Sequence, residues 1–230
     1  MKRYLLMSML VFVGCLFNAF AQLGGNALKF DGTDDYVEIP HNDVLNVTAV
    51  TMEMWFYWDN ATVANDVDFL IGKGTENLEI HTGGGSGNHA LRFIPTTGVY
   101  IDTDENVFES KKWNHVAFVY DPAQSIYICY INGSSVHVNL RGGNPVTTPI
   151  ITTPAEALKL GIRQGGIMPW EGKLDEVRIW NDVRTEAEIK ANMNKELLGN
   201  EAGLVAYYKL NENAGTTVDD ATINNLDGTF

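Results

Sequence analysis

Short apolar segments recur along the chain between clusters of turn-forming residues, and many alternate with a period of two. In TMEMWFYW, residues 51–58, Met52, Met54 and Phe56 share one face of a strand, while Trp55 lies on the other face. Neither face is polar throughout, so we expect both to be covered. The same pattern predicts strands at residues 68–73, 78–81, 90–94, 99–102, 113–121, 125–133, 135–140 and 203–210. The predicted fold class is all-β.

The residues between these segments predict how the strands connect. Residues 27–30 and 36–39 flank the sequence DGTDD, whose Asp and Gly residues favour a tight turn, so we expect a hairpin there. Residues 113–121, 125–133 and 135–140 follow one another through short turns and predict a meander.

One segment of useful length has a helical pattern. Thr185 is a suitable N-cap, and Glu188 follows three residues later in a capping-box arrangement. Ile189 and Met193 then fall on one face. The sequence therefore predicts one short helix over residues 186–195, near the C-terminus.

The first residues have the organisation of a signal peptide. Lys2 and Arg3 precede an apolar run from residue 4 to residue 17, and the small residues Ala19 and Ala21 offer a cleavage site. We therefore expect a signal peptide over residues 1–21 and a secreted or cell-surface protein with no membrane insertion after its removal. The cysteine at position 15 leaves lipid attachment as an alternative.

These features divide the chain into three parts. After the signal peptide, residues 22–210 are predicted to form one domain, since an all-β sandwich of this length is ordinarily a single unit. Residues 211–230 are polar and rich in turn-forming residues. We interpret them either as the start of a following module or as a terminal strand at the edge of this domain.

Charge and cysteine content restrict the partners and the source of stability. The chain has 16 basic and 29 acidic residues and a formal net charge of −13, which disfavours nucleic acids and anionic membranes as partners. Cys129 is the one cysteine left after a signal peptide containing Cys15 is removed, so a hydrophobic core must stabilise the fold. The acidity serves solubility, or supplies oxygen ligands for a cation such as Ca²⁺.

Several segments, taken together and in order, resemble the laminin-G-like, concanavalin A-like jelly-roll family of bacterial surface proteins. They are ALKFDGTDDYVEI, TMEMWFYW, KKWNHVAFVYD, SIYICYINGS, LKLGI, WEGKLDEVRIWNDVRT and GLVAYYKLNENAGTTVDD. The resemblance implies a sandwich of two antiparallel sheets and a role in carbohydrate binding, adhesion or matrix contact, with Ca²⁺ in some members. In such a sandwich, alternation predicts five buried apolar residues, namely Met54, Phe56, Val116, Phe118 and Ile179.

The acidic residues do not have the spacing of a hydrolase site. Related sandwich hydrolases carry Glu-x-Asp-x-x-Glu on one strand, whereas Glu171, Asp175 and Glu176 have offsets of four and five. Asp175 and Glu176 occupy the position of an acidic pair in the resembled family. This pair either pins its strand to adjacent loops or serves a ligand or metal. The sequence thus predicts a protein that is not an enzyme.

Metal binding is the better motivated chemistry for the carboxylates. Asp31, Asp34 and Asp175 are the candidate Ca²⁺ ligands, because they lie in or beside turns that can add backbone carbonyls. Asp35 belongs to the same turn. Ordinary turn hydrogen bonding is the alternative interpretation for Asp31.

Trp170 is the candidate ligand-binding aromatic residue. It follows the loop sequence GGIMP, where an indole ring at a loop edge would stack on a sugar ring. Packing at the start of a strand is the alternative. The predicted function is a secreted, non-catalytic binding or adhesion module for a glycan or an extracellular protein, with a structural spacer domain or a glycoside hydrolase relative as alternatives.

Overall fold

The computed structural model describes residues 25–59, 67–83, 89–150, 156–212 and 214–230. These residues form two antiparallel sheets that enclose a common hydrophobic core, with one short α-helix on the outside of one sheet. The prediction of an all-β, two-sheet sandwich is therefore confirmed. The predicted signal peptide, residues 1–21, lies outside the described residues.

The strands are numbered along the chain. The first eight are β1 (Leu28–Asp31), β2 (Val37–Ile39), β3 (Val50–Trp58), β4 (Phe69–Lys73), β5 (Glu79–Thr82), β6 (Leu91–Thr96), β7 (Val99–Thr103) and β8 (Trp113–Asp121). The others are β9 (Ile126–Ile131), β10 (Ser134–Val136), β11 (Val138–Arg141), β12 (Leu158–Leu160), β13 (Glu171–Trp180), β14 (Leu204–Tyr208), β15 (Thr217–Val218) and β16 (Gly228–Thr229).

The first sheet has seven strands in the order β1-β13-β3-β8-β9-β10, with β14 also paired to β13. The second sheet has nine strands in the order β11-β7-β6-β5-β4-β12-β2-β16-β15. Apolar side chains from both sheets meet between them, as shown by Phe93 of β6 and Phe118 of β8, whose stacked rings have centroids 5.1 Å apart. The five residues predicted to be buried are all fully inaccessible, namely Met54, Phe56, Val116, Phe118 and Ile179.

The expected first hairpin does not form. Strand β1 pairs with β13 in the first sheet, whereas β2 pairs with β12 and β16 in the second. The DGTDD turn therefore carries the chain from one sheet to the other. The physical reason is the core: Phe30 of β1 and Val37 of β2 are both buried in it, from opposite sheets. A turn suited to a hairpin is equally suited to this crossing.

The first part of the predicted meander is confirmed. Strands β8, β9 and β10 pair in sequence within the first sheet. The chain then changes sheet, because Val138–Arg141 pairs with β7 at the edge of the second sheet. The segment 135–140 is thus divided between two sheets rather than forming one strand.

The helix α1 (Glu186–Asn192) begins as the sequence predicted. Thr185 and Glu188 form a capping box, in which the Thr185 hydroxyl accepts from the Glu188 N–H and the Glu188 carboxylate accepts from the Thr185 N–H. The helix is shorter than expected, since it ends at Asn192. No helix among the described residues is both long enough and apolar enough to span a membrane.

The C-terminal residues are part of the sandwich rather than a segment apart from it. Strand β16 pairs with β2, and β15 pairs with β16 at the end of the second sheet. Val218 and Leu226 are buried in the common core, whereas Phe230 is 48% exposed. Residues 214–230 therefore add two strands to the edge of the second sheet.

Candidate functional site

The outer face of the second sheet carries an unusual concentration of buried charge. Along β5, β6 and β7, residues such as Ile80, Phe93 and Ile101 point into the core, so the alternate residues point to the opposite face. Pairing then brings those outward residues together, because His81 lies opposite Arg92 and Arg92 lies opposite Asp102. A row of ionisable side chains thus crosses three neighbouring strands.

His81 and Arg92 line a cleft of about 260 Å³ on this face. Its polar and aromatic lining comes from β5, β6, β7, the turn before β5 and the loop after β12, and consists of Glu76, Glu79, His81, Arg92, Tyr100 and Arg163. Its apolar lining consists of Val67, Ile94 and Met168. A few polar groups placed on a partly apolar concave surface are typical of a binding site for a small molecule.

Arg92 is fixed at one side of the cleft by a two-point ion pair. Its Nε and Nη2 donate to the two carboxylate oxygens of Asp102, at 2.6 and 2.8 Å. Asp102 is fully buried and also lies 3.1 Å from Nε of Arg141. The hydrogen bond to Asp102 raises the pKa of Arg92. The guanidinium group of Arg92 lies 5.1 Å from the centre of the Tyr100 ring, so the ring is held as well.

A second ion pair fixes the opposite side. Nε of Arg163 lies 3.0 and 3.1 Å from the two carboxylate oxygens of Glu79. Burial raises the pKa of Glu79, and Arg163 opposes this shift. The Glu76 N–H donates to Glu79 at 3.1 Å, and the Tyr100 hydroxyl donates to the Glu76 carboxylate at 3.0 Å. Hydrogen bonds therefore connect the turn before β5 to both sides of the cleft.

His81 lies between the two ion pairs and is 5% exposed. Its Nδ1 is 2.8 Å from the carbonyl oxygen of Thr82, which can only accept, so Nδ1 carries a hydrogen. Burial lowers the pKa of His81 to about 4, so the ring is neutral at pH 7. Nε2 is then an acceptor, 3.8 Å from the Glu79 carboxylate. The cleft combines guanidinium donors with carboxylate and imidazole acceptors, as hydroxyl-rich molecules require.

The candidate metal ligands Asp31 and Asp34 are neighbours. Together with Asp35, they offer carboxylate oxygens that lie within 4.8 Å of one another, and all three residues are exposed. The loop is shaped by its own hydrogen bonds, since Asp31 accepts from the Thr33 N–H at 2.8 Å and Asp35 accepts from the Asp31 N–H at 2.9 Å. Three close carboxylates at an exposed turn are compatible with the oxygen ligands that Ca²⁺ prefers.

The third candidate metal ligand, Asp175, does not join them. It lies on β13 of the first sheet, is 4% exposed, and precedes Glu176 at a β-bulge where Glu176 has a φ of 53°. Leu174 and Val177 on either side both point into the core, so the bulge places the two acids between core positions. Burial, followed by the charge of Glu176, raises the pKa of Asp175 to about 8.

Glu176, which follows Asp175, belongs to a buried network of hydrogen bonds beneath α1. Glu176 accepts from Arg178 at 2.5 Å and from the Tyr207 hydroxyl at 2.6 Å. Arg178 also donates to the carbonyl oxygens of Asn192 and Lys195, at 3.2 and 2.5 Å. The network therefore fastens the end of the helix to the first sheet. The interpretation of Glu176 as a residue that pins its strand to adjacent structure agrees with these contacts.

Trp170 does not occupy a loop edge, which corrects the expectation for a ligand-binding residue. Its side chain is fully buried, and its ring centre lies 6.2 Å from that of Phe56 in the core. The backbone N–H of Trp170 donates to the carbonyl oxygen of Gly161 at 2.7 Å, just before β13. A buried ring has no face to offer a sugar, so packing at a strand start is the correct interpretation.

Sequence reasoning identified the strands of the cleft but not the cleft itself. The signal was a polar residue at an outward position of each of three apolar strands, as in Glu79, Arg92 and Asp102. Such residues are usually solvated. Their burial follows from strand pairing and from the loop that contributes Arg163, neither of which alternation shows.

Comparisons with known proteins agree with this architecture. The family model for the concanavalin A-like lectin/glucanases superfamily, Laminin_G_3, matches residues 31–190. The comparison with curated proteins finds no match.

Solved structures share the fold at low sequence identity. A Bacteroides ovatus protein named for a proposed carbohydrate-binding role has a TM-score of 0.61 and 22% identity, covering 88% of this chain. This chain spans 58% of the length of that protein. Domain 4 of an extracellular arabinanase from Geobacillus stearothermophilus, solved with arabinotriose, has a TM-score of 0.51 and 19% identity, covering 75% of this chain and 83% of its own. A pentraxin from Limulus polyphemus has a TM-score of 0.51 and 16% identity, covering 74% of this chain and 82% of its own.

Proposed function

This chain belongs to the concanavalin A-like lectin/glucanases superfamily, and we propose that it is a non-catalytic module that binds glycans in the cleft on the outer face of its second sheet. One observation carries the proposal. Ion-paired arginines and carboxylates, with a neutral histidine between them, line a concave surface rather than an open, solvated face. A buried ion pair often stabilises a fold no more than well-packed apolar residues would, so several such pairs beside a concave surface favour a binding role.

The chemistry of the cleft suits sugars. A sugar presents hydroxyl groups that both donate and accept, and adjacent hydroxyls match the planar donors of an arginine or the paired oxygens of a carboxylate. Arg163 and Glu79 offer such groups at one side, and Arg92 offers them at the other. Tyr100 and Ile94 supply surface for the C–H groups of a sugar ring. The arabinanase domain solved with arabinotriose supports the proposal by analogy of fold.

Two further parts of the proposal concern location and metal. Export is supported by the basic and apolar organisation of residues 1–21. Ca²⁺ binding is supported by the grouping of Asp31, Asp34 and Asp35. Asp34 and Asp35 also line a smaller cleft of about 150 Å³ that contains the half-exposed rings of Tyr36 and Phe230. A cation there would organise the crossing between the sheets, separately from the glycan site.

A glycan array tests the proposal. The purified protein should bind a defined group of oligosaccharides, and Arg163→Ala should reduce that binding about tenfold, since it removes charge-assisted donors from the cleft. Arg184→Ala is the matched control. Its side chain is 14% exposed against 15% for Arg163, and it too contacts a carboxylate, Glu188 at 3.2 Å, but beside α1.

The outcomes separate the competing functions. Binding that the control variant retains and Arg163→Ala loses supports a glycan module. Binding to extracellular matrix proteins without any glycan signal would instead favour protein adhesion. If neither class of ligand binds, the chain is a structural spacer and the proposal is wrong.

A further inference from the structure

The charges in the cleft are balanced. Arg92 is matched by Asp102, and Arg163 is matched by Glu79. Arg141, outside the cleft lining, also contacts Asp102, and Glu76 in the lining contributes one further anion. These three cations and three anions sum to a formal charge of zero.

The imidazole of His81, a third type of polar group in the cleft, carries no charge at pH 7. His81 donates from Nδ1 to a backbone carbonyl, and its Nε2 accepts. Protonating Nε2 would place a positive charge in a buried site that lies near both Arg92 and Arg163, and these two arginines lower the pKa of His81 beyond the effect of burial. The imidazole therefore offers a hydrogen-bond acceptor rather than a cation.

We propose that the cleft selects uncharged glycans, recognised through adjacent hydroxyl pairs, and rejects glycans that carry a carboxylate or sulfate at the bound sugar. This inference rests on the proposed function, because it names the class of glycan for the same site. Both arginines that line the cleft have their charge compensated, so an incoming anion must displace Asp102 or Glu79 or lie beside it.

The cost of that displacement decides the selectivity. Asp102 is fully buried and Glu79 is 1% exposed, so neither carboxylate can move into water without opening the sheet face. An added anion would meet like charge at short range, and like charges placed together in a desolvated interface strongly disfavour binding. The net charge of −13 on the whole chain adds a weaker repulsion at low salt. An uncharged diol meets none of these penalties.

The test uses pairs of oligosaccharides that share a backbone and differ only in charge. Oligogalacturonides and their methyl esters form one pair, and glucose-terminated and glucuronic acid-terminated oligomers form another. Isothermal titration should show that the uncharged member of a bound pair has an affinity at least about tenfold higher than the acidic member. High salt should reduce this difference in affinity only slightly, because salt screens charges in a buried site less than charges exposed to solvent.

A substitution that upsets the charge balance provides the second arm. Glu79→Gln keeps the size and shape of the side chain but leaves Arg163 without its carboxylate. This variant should gain affinity for the acidic member of each pair, while Glu109→Gln, at an exposed acid outside the cleft, should not. Melting temperatures of both variants confirm that they fold.

The outcomes distinguish this inference from the function on which it rests. If the wild type prefers the acidic member of a pair and Arg163→Ala loses this preference, the inference is wrong, but the proposal that the cleft binds glycans stands. If neither Arg163→Ala nor Glu79→Gln changes the binding of uncharged glycans, both the inference and the proposed location of the site are wrong. Absence of binding to either member of every pair would overturn the proposed function and this inference with it.

Discussion

Arg92 and Asp102 lie opposite each other on β6 and β7 and are joined by two hydrogen bonds, of 2.6 and 2.8 Å. Arg92 lines the cleft, and its partner Asp102 is fully buried. Asp102→Asn should therefore lower the free energy of unfolding by about 1.5 to 3 kcal/mol, the range for a hydrogen bond to a charged group. Chemical denaturation measures this loss.

Asp104 supplies the control for this prediction. Its side chain is 56% exposed and contacts His137 at 3.1 Å, so Asp104→Asn should change stability much less than Asp102→Asn does. Equal losses in the two variants would show that the Arg92–Asp102 pair is no stronger than a surface ion pair.

The contact between the two sheets predicts the effect of a core substitution. Phe118 is fully buried and stacks on Phe93 of the opposite sheet. Phe118→Ala should cost about 3 to 5 kcal/mol of stability, because it removes this contact and leaves a cavity. Unfolding in urea checks the value. A loss below about 1 kcal/mol would mean that Phe118 is not at the interface between the sheets.

Asp175 gives a stability effect that depends on pH. Its pKa is raised to about 8 in the folded protein, so it binds a proton more tightly there than in the unfolded chain. The unfolded state deprotonates first as the pH rises above about 4, and the folded state is progressively disfavoured until the pH passes about 8. Asp175→Asn should therefore raise the melting temperature at pH 8 and have little effect near pH 4.

The sign of this effect is the decisive observation. Thermal melts of the wild type and Asp175→Asn between pH 4 and pH 8 show directly whether the substitution raises or lowers the melting temperature. If Ca²⁺ raises the melting temperature of the wild type at pH 8, and Asp175→Asn lowers that temperature and loses the response to Ca²⁺, the Asp175 carboxylate is charged and bound to a cation after all.

The acidic loop predicts a response to calcium. If Asp31, Asp34 and Asp35 hold Ca²⁺, the ion should raise the melting temperature and a chelator should lower it, because a ligand that binds the folded state stabilises it. Asp34→Asn should abolish the response, whereas Asp219→Asn, at an exposed acid outside this group, should keep it. Identical melting curves with Ca²⁺ and with chelator would remove the loop from consideration as a metal site.

The sequence predicted the strands, the helix cap and the core, because alternation and capping are local properties of the chain. The sheet assignment of Val37–Ile39 could not be predicted, since the DGTDD turn serves a hairpin and a crossing equally well. The burial of Trp170 depends on packing against Phe56, which is distant in the sequence. The cleft depends on pairing between Arg92 and Asp102 and on Arg163, which lies 84 positions from its partner Glu79.

The central claim is that glycans bind on the outer face of β5, β6 and β7, and NMR tests it most directly. The protein, labelled with ¹⁵N, is titrated with the uncharged oligosaccharide that gives the strongest array signal. The largest amide shifts should fall within Glu79–Thr82, Leu91–Thr96 and Val99–Thr103 and around Arg163. Shifts centred instead on the Asp31–Tyr36 loop or on α1, with these strands unchanged, would contradict the claim.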